Sequence, residues 1–318
     1  IIIRDRPEIV HCRSYPAMQV GLFLRRIFRC ALIFDMRGLW VDDRVEGGLW
    51  PESRILFRAL YRLYKYQERQ MLYKSDHIVV LTQRVVPELR RIAPGLTAPI
   101  SVIPCCADYE HYRFDDYQRK SIRNKLNIGE RSLVLCYLGS IGTIYLFNEV
   151  LKLFSDCDLM ISDLHLLVVS QSVDSDLEAK IRASFRSDLQ SRLHICTAAR
   201  SQVPAYLSAA DAMLTFRKPS YSQMACSPTK MAEAFAVGLP VISNRGIGDV
   251  DRIISDVKGG ILIDLGNVKD VERVCSFVGN ISGLERERLR LESKEILGRE
   301  VSARLYKSLY FSLDRNGE

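Results

Sequence analysis

Long apolar runs are missing from this 318-residue sequence. A membrane-spanning helix needs roughly 18 apolar residues in succession, and the strongest run, Leu164 to Val169, is only strand-sized. Paired-cysteine spacing is missing too. The nine cysteines form no C-x-x-C pair and do not cluster with the five histidines. That argues against a zinc site or a disulfide framework and for a reducing cytosol. Cys105 and Cys106 are adjacent, a poor geometry for an ordinary disulfide. No G-x-G-x-x-G follows a candidate strand, which disfavours a dinucleotide-dependent dehydrogenase. No D-x-D stands directly beside a strand, where a magnesium-held diphosphate would need one. Repeats and low-complexity tracts are absent. The opening, IIIRDRPEIVHCRSY, has no Met and no signal-peptide pattern. It reads as a helix end and a strand already inside a domain, so one or more β/α units are expected to have been lost ahead of it.

What is present is the composition of an ordinary soluble globular protein, 47% hydrophobic and 26% charged. The formal charge of +7 suits anionic ligands without pointing to nucleic acid. Short Val/Ile/Leu runs alternate with amphipathic segments. Strands are expected at Ile9–Cys12, Ala31–Asp35, His77–Thr82, Ile100–Pro104, Leu133–Leu138, His165–Val169, Leu193–Cys196, Ala212–Thr215, Val241–Ser243 and Gly260–Ile263. Helices are expected at Ser53–Ser75, Arg84–Ala93, Leu146–Asp156, Ser175–Ser184 and Gln202–Ala209. Alternation at this spacing predicts parallel β/α units, and strands this uniformly apolar predict sheets covered on both faces. The polar segment 108–131, with a surface helix, separates an N-terminal Rossmann-like domain at 1–107 from a second at 132–290. A charged helical tail follows at 291–318, with Leu289, Leu291, Ile296, Leu305 and Leu309 as the apolar contacts of the C-terminal region and a possible return to the first domain.

Three loops carry candidate chemistry. In SPTKMAEAFAVGLPVISN, residues 227–244, Ser227 is a favoured N-cap, Pro228 suits the first helical position and Gly238 suits the left-handed C-terminus. Lys230 and Glu233 share one face near that helix N-terminus, where free N–H groups and the dipole favour an anion. The pair is either a surface ion pair or a diphosphate-and-ribose site. Gly139 and Gly142, in LGSIGT after the Leu133–Leu138 strand, allow backbone to approach a phosphate, or merely make a tight turn. The loop NRGIGD, 244–249, follows the strand after the Lys/Glu helix. All three stand at carboxyl ends of parallel strands, where such folds bind ligands.

The run from Ser227 to Asn244 resembles the donor-binding segment of retaining glycosyltransferases of family 4. FDMRGLW at 34–40, DHIVVLT at 76–82, VIPCCAD at 102–108 and YLGSIGT at 137–143 agree with it in order and spacing. The resemblance implies the α/β GT-B fold, two Rossmann-like domains with parallel sheets facing across a cleft. It also implies transfer of a sugar from a nucleoside-diphosphate sugar, UDP- or GDP-linked, to a saccharide or lipid-linked acceptor, with retention and without cofactor or metal. Carried over by position, Lys230 would contact the diphosphate, Glu233 the ribose, and Gly139 and Ser140 the phosphates. Ser227 and Thr229 would flank them, and Gly246, Gly248 and Asp249 would line the sugar pocket. Arg37 and Gly38, with Arg13, Ser14 and Asp35, would face the cleft from the acceptor side. Arg37 could equally pair with Asp35 or Asp42, and His11 reads as a satisfied strand histidine. Trp40 and Trp50 read as packing.

Two departures stand out. The family's Glu-x7-Glu has Ala225 at its first position, so Asp249 becomes the candidate for the missing acid. No cation follows the glycine loop, which leaves Lys230 with Arg217 or Lys218 to meet the phosphate charge. A nucleotide-sugar epimerase of the same fold and an inactive nucleotide-sugar-binding relative are the alternatives. The basic amphipathic stretch Leu22–Arg29 would suit peripheral contact of a cytoplasmic protein with the inner face of a membrane.

Overall fold

The computed structural model describes residues 6–51, 53–142, 144–171, 173–281 and 284–313. The first half builds a four-stranded sheet from β1 (Ile9–Arg13), β2 (Ala31–Asp35), β3 (His77–Val80) and β4 (Ile100–Val102). Its connections are α1 (Tyr15–Phe28), α2 (Trp40–Glu46), α3 (Ile55–Tyr73) and α4 (Val86–Ile92). After α5 (Asp116–Lys125) come β5 (Leu133–Leu138), α6 (Phe147–Asp158), β6 (Leu164–Val169), α7 (Ser175–Ser184), β7 (Leu193–Cys196) and α8 (Val203–Ala209). The chain continues through β8 (Ala212–Thr215), α9 (Thr229–Ala236), β9 (Val241–Asn244), α10 (Val250–Asp256), β10 (Gly260–Ile263) and α11 (Val268–Gly279), and ends in α12 (Leu284–Leu297) and α13 (Arg299–Leu313).

The sheets run β1-β2-β3-β4 and β10-β9-β8-β5-β6-β7, with every pairing parallel. β2 and β6 are buried at every residue, as expected when helices cover both faces. Each fully buried Leu, Ile or Phe of these strands contributes roughly 1.5–3 kcal/mol. Strand ends move where local chemistry requires it. β3 stops at Val80, and the Thr82 hydroxyl beyond it donates to the Met224 carbonyl of the second half at 2.7 Å. β4 stops at Val102, short of Pro104, which has no N–H for a ladder.

The polar segment 108–131 is more than a connection. Asp115 caps α5 by accepting the Gln118 N–H at 3.0 Å, and α5 packs on α8 through arginines. Arg123 is 2% exposed and donates to Asp211 at 2.8 Å and to the carbonyls of Ala209, Gly129 and Ser132. Arg119 donates to the same carboxylate at 2.8 Å and to carbonyls 208–210 at the end of α8, the negative end of that helix.

The tail is two helices, parted at Gly298. There the Ala107 N–H donates to the Leu297 carbonyl and the Arg299 N–H returns to Ala107. α13 lies on the first sheet, with Leu309 against Ile33, Val79 and Ile103. Leu289 and Leu309 are buried as the tail pattern requires, but Leu291 and Leu305 are 58% and 43% exposed. Leu291, two residues after Leu289 on α12, stands on a different face of that helix.

Candidate functional site

The carboxyl ends of β1 and β2 face loops at the carboxyl ends of β8 and β9, and two cavities open between the halves. The larger, about 700 Å³, is lined by His11, Arg13, Asp35, Arg37 and Cys105 from the first half, by Thr229 from the second, and by Tyr306 and Tyr310 of α13. The smaller, about 290 Å³, takes in Ser14, Arg37, Gly38 and Asp43 on one side and Arg217, Gln223, Ala225 and Ser227 on the other. Arg37 and Cys105 form the wall they share. Backbone strain concentrates here: Ser14, Arg37 and Gly38 have φ of 74°, 60° and 138°. Non-glycine residues adopt such angles only where the surroundings impose them, commonly at ligand sites.

Arg37 makes no ion pair with Asp35 or Asp42. Its Nη2 donates to the Cys105 Sγ at 3.3 Å, and Asp42 is taken by Lys65 at 2.9 Å. Burial opposes the charge of Arg37, but Cys105, Asp35 and Tyr306 outweigh it and hold its pKa above the ordinary value. Asp35 accepts the Tyr306 hydroxyl at 3.1 Å, and His11 Nε2 lies 3.5 Å from the same carboxylate. His11 also meets the Tyr310 hydroxyl at 2.6 Å through Nδ1. Trp40 packs against Tyr15, Trp50 and Tyr64.

On the other side, Lys230 Nζ donates to Glu233 Oε2 at 3.1 Å, the lysine half-exposed and the glutamate 4% exposed. Glu233 also bears on Tyr112, whose pKa burial and this carboxylate push up to about 12. Arg217 is fixed at three points. Its N–H donates to Asn244 Oδ1 at 2.9 Å, its Nε to Gln223 Oε1 at 2.8 Å, and its guanidinium lies 4.8 Å from the centroid of the Tyr145 ring. Gly139 has φ of 148°, and the Ser140 carbonyl accepts the Tyr137 hydroxyl at 2.6 Å. Gly139, Ser140, Lys230, Glu233 and Gly246 line neither cavity; Gly139 and Ser140 follow β5, Lys230 and Glu233 lie in α9, and Gly246 follows β9. Thr143 of the glycine loop lies outside the described residues. Among the described residues, no group of three or more His, Cys, Asp or Glu side chains is placed to hold a metal, and no helix is long and apolar enough to cross a membrane.

One sequence assignment is corrected, and two further candidate residues prove to be held by partners. Pro228, not Ser227, occupies the N-cap of α9, and the Ser227 Oγ accepts the Cys105 N–H at 3.0 Å across the halves. At Gly248 the backbone N–H is already engaged. Its N–H donates to the Gln223 carbonyl at 2.8 Å, and a Cβ there would lie 1.9 Å from the Cys226 oxygen. Asp249 accepts the N–H groups of Gln83 at 2.8 Å and Arg84 at 3.1 Å and pairs with Arg252 at 3.2 Å. Both its oxygens are engaged in these contacts. Ala225 itself is 2% exposed and packs with Tyr221 and Met224 into the core of the first half.

Reading the sequence missed Asp43, Gln223 and Tyr306. Asp43 faces Arg217, and burial raises its pKa against the pull of that arginine. No spacing pattern singles out such residues, because each reaches the cavity only when the halves and the tail are assembled.

Residues 2–106 match the glycosyl transferase 4-like domain, and residues 133–278 match the glycosyl transferases group 1 domain. Each half of the chain thus matches a domain found in glycosyltransferases, and the fold is GT-B. Among solved structures, a glycosyltransferase from Rickettsia africae ESF-5 superposes with a TM-score of 0.73 at 14% identity, covering 99% of this chain and 79% of that one. Alr3699/HepE of Anabaena, in complex with UDP-glucose, gives 0.71 at 12% identity over 96% and 79% of the two chains. An α,α-trehalose-phosphate synthase from Burkholderia xenovorans, in complex with glucose-6-phosphate, gives 0.69 at 11% identity over 98% and 74%. At these identities the likeness is one of fold. Comparison with curated proteins gives no match.

Proposed function

We propose that this protein moves a sugar from a nucleoside-diphosphate sugar, UDP- or GDP-linked, to a saccharide or lipid-linked acceptor with retention of anomeric configuration. The observation that carries the reading is the pairing of half-exposed Lys230 with buried Glu233 at the start of α9, 3.1 Å apart, on the second face of a two-sheet cleft. A cation at a helix N-terminus suits a diphosphate, and a carboxylate beside it suits the ribose diol. The Alr3699/HepE neighbour was solved with UDP-glucose, which supports the donor class.

In this scheme the bond from the anomeric carbon to the diphosphate breaks, and the acceptor oxygen bonds to that carbon on the same face. The acceptor proton passes to the departing phosphate oxygen. Lys230, Arg217 and the start of α9 stabilise the charge that develops on the diphosphate, so the reaction needs neither metal nor cofactor. Gly139 and Ser140 offer backbone to the phosphates, and Gly246 borders the sugar. Arg13, Arg37 and Gly38 meet the acceptor. The free cysteines agree with a cytoplasmic setting.

The test is thermal stabilisation by UDP, GDP, ADP, CMP and NAD, run on wild type and on Lys230→Ala. A nucleotide at about 100 times its Kd adds roughly 2.7 kcal/mol. Stabilisation by one nucleoside diphosphate, lost in the variant, is the expected result. Stabilisation by none, or by NAD, overturns the reading. The anomeric proton coupling of the product then reports retention or inversion.

A further inference from the structure

We infer that the second half of the chain binds a phosphorylated small molecule at the end of its sheet away from the cleft. The site is a cavity of about 520 Å³. Arg113 and Arg119 line it from the approach to α5 and from α5 itself, and Arg286 and Arg290 line it from α12. At its base Asp211 stands just ahead of β8 and accepts the N–H of Val134, near the start of β5, at 2.9 Å. The carboxyl ends of these strands, where the cleft lies, are at the other end of the sheet. α12 is seated closely: a Cβ at Gly238, just past α9, would lie 2.3 Å from the Arg286 carbonyl oxygen.

Most arginine donors here are spent on the protein. Arg119 and Arg123 bind Asp211 and nearby carbonyls, and Arg290 donates to the carbonyls of Tyr109, Tyr112 and Ala236. Arg286 Nη2 donates to the Ala210 carbonyl at 2.5 Å, and its guanidinium lies 4.8 Å from the centroid of the Phe114 ring. Holding α5, α8 and α12 together accounts for all of these bonds. It leaves two groups over. Arg286 Nη1 is buried and has no acceptor among the described residues, a state that folded proteins rarely keep unless a ligand, ion or water meets the donor. Arg113 is exposed and makes no hydrogen bond or ion pair among the described residues.

The charges are also unequal. One carboxylate, Asp211, faces three guanidiniums, with Arg119 and Arg123 at 2.8 Å and Arg286 at 3.8 Å. Asp116, on the same wall, is taken by Lys120 at 2.7 Å. Among the described residues, the remaining carboxylate on the wall is exposed Glu287, set against Arg113 and Arg290. Positive charge is in surplus. Burial pushes the Arg286 pKa down to about 10; Asp211 opposes the fall, and Arg119 and Arg123 add to it. A ligand carboxylate would bring one negative charge, whereas a phosphate monoester brings about 1.5–2. Phosphate oxygens also fit the guanidinium fork. The cavity has room beyond a phosphate, and Phe114 and Val237 give the rest of the ligand an apolar wall. None of these residues belongs to the cleft, so the inference does not rest on the transferase reading.

The experiment is calorimetric titration with phenyl phosphate, and with inorganic phosphate for comparison, at fixed ionic strength. Saturable binding is expected, tighter for phenyl phosphate because its ring meets the apolar wall. Arg113→Gln, at an exposed position, should keep the melting temperature and weaken binding about tenfold, the value of one charged hydrogen bond. Arg286→Met should abolish binding; if that variant fails to fold, Arg113→Gln decides alone. Lys230→Ala, altered at the start of α9, should bind phenyl phosphate as wild type does. Absence of saturable binding by the folded protein overturns the inference. So does binding that Arg113→Gln leaves unchanged, and so does binding that Lys230→Ala removes, which would place the anion in the cleft.

Discussion

The carboxylate of Asp249, at the start of α10, accepts the backbone N–H of Gln83, just past β3, at 2.8 Å. The two residues are far apart in sequence and belong to different halves of the chain. The Arg84 N–H shares the carboxylate at 3.1 Å. Similar clamps stand nearby: Glu46 accepts the Ser222 N–H at 3.0 Å, and Glu88 accepts the Tyr221 hydroxyl. The cleft is held by carboxylates of one half gripping the loops of the other.

Asp249→Asn should therefore act on stability and domain closure rather than on the chemical step. A hydrogen bond to a charged group contributes about 1.5–3 kcal/mol, and the amide cannot accept two N–H groups on two oxygens. Urea denaturation should show a loss of about 2 kcal/mol, with kcat nearly unchanged well below the melting temperature. A fall in kcat of a hundredfold or more at unchanged stability would restore Asp249 to the chemistry.

Asp211 holds together the packing of α5 on α8. Its carboxylate receives Arg119 and Arg123 at 2.8 Å each and the Val134 N–H at 2.9 Å. Asp211→Asn leaves the buried Arg123 charge without its counter-ion, which costs about 3–5 kcal/mol. The double change Asp211→Leu with Arg123→Met should cost clearly less than the sum of the single changes. Additive losses in a double-mutant cycle would show that the pair is not coupled.

These interactions mark how far the sequence could be read. All ten strands were legible, because a strand covered on both faces is a continuous apolar run, as LHLLVV in β6 illustrates. The helix α9 and its Lys230–Glu233 pair were legible because Pro228, Gly238 and the three-residue spacing are local signals. Arg123 was not. In sequence it sits in a polar segment like any solvated arginine, and only its approach to Asp211 buries it. The grip of Asp249 on Gln83 and the entry of Tyr306 into the cleft depend equally on contacts between distant residues.

His165 and His194 make stability depend on acid. Their rings meet at 3.0 Å on β6 and β7. Burial, then His165 and Arg182, push the pKa of His194 down to about 4; burial lowers that of His165, with Asp163 working the other way. A histidine whose folded pKa lies below its unfolded value takes its proton first in the unfolded chain. Stability should therefore fall as pH drops from about 6.5 towards about 4. Melting temperatures across that window should decline less steeply for His194→Gln. Identical slopes would place the acid sensitivity elsewhere.

Arg217 is the residue on which the charge argument depends most. Its Nε bond to Gln223 and its seat beside the Tyr145 ring fix the guanidinium before any ligand arrives. A preorganised cation stabilises developing negative charge without reorganising during the reaction. Arg217→Lys keeps the charge but loses both the Nε bond and the planar stacking. It should lower kcat about tenfold or more while changing nucleoside diphosphate affinity by less, because the contact strengthens as charge moves onto the departing phosphate. Arg217→Ala should lower kcat further, by about a hundredfold. Asp43→Asn removes the carboxylate that faces this arginine and should alter kcat far less. If both Arg217 variants remained within twofold of wild type in kcat and in affinity, Arg217 would be a scaffold for the β8 loop. Lys230 and the start of α9 would then carry the diphosphate charge alone.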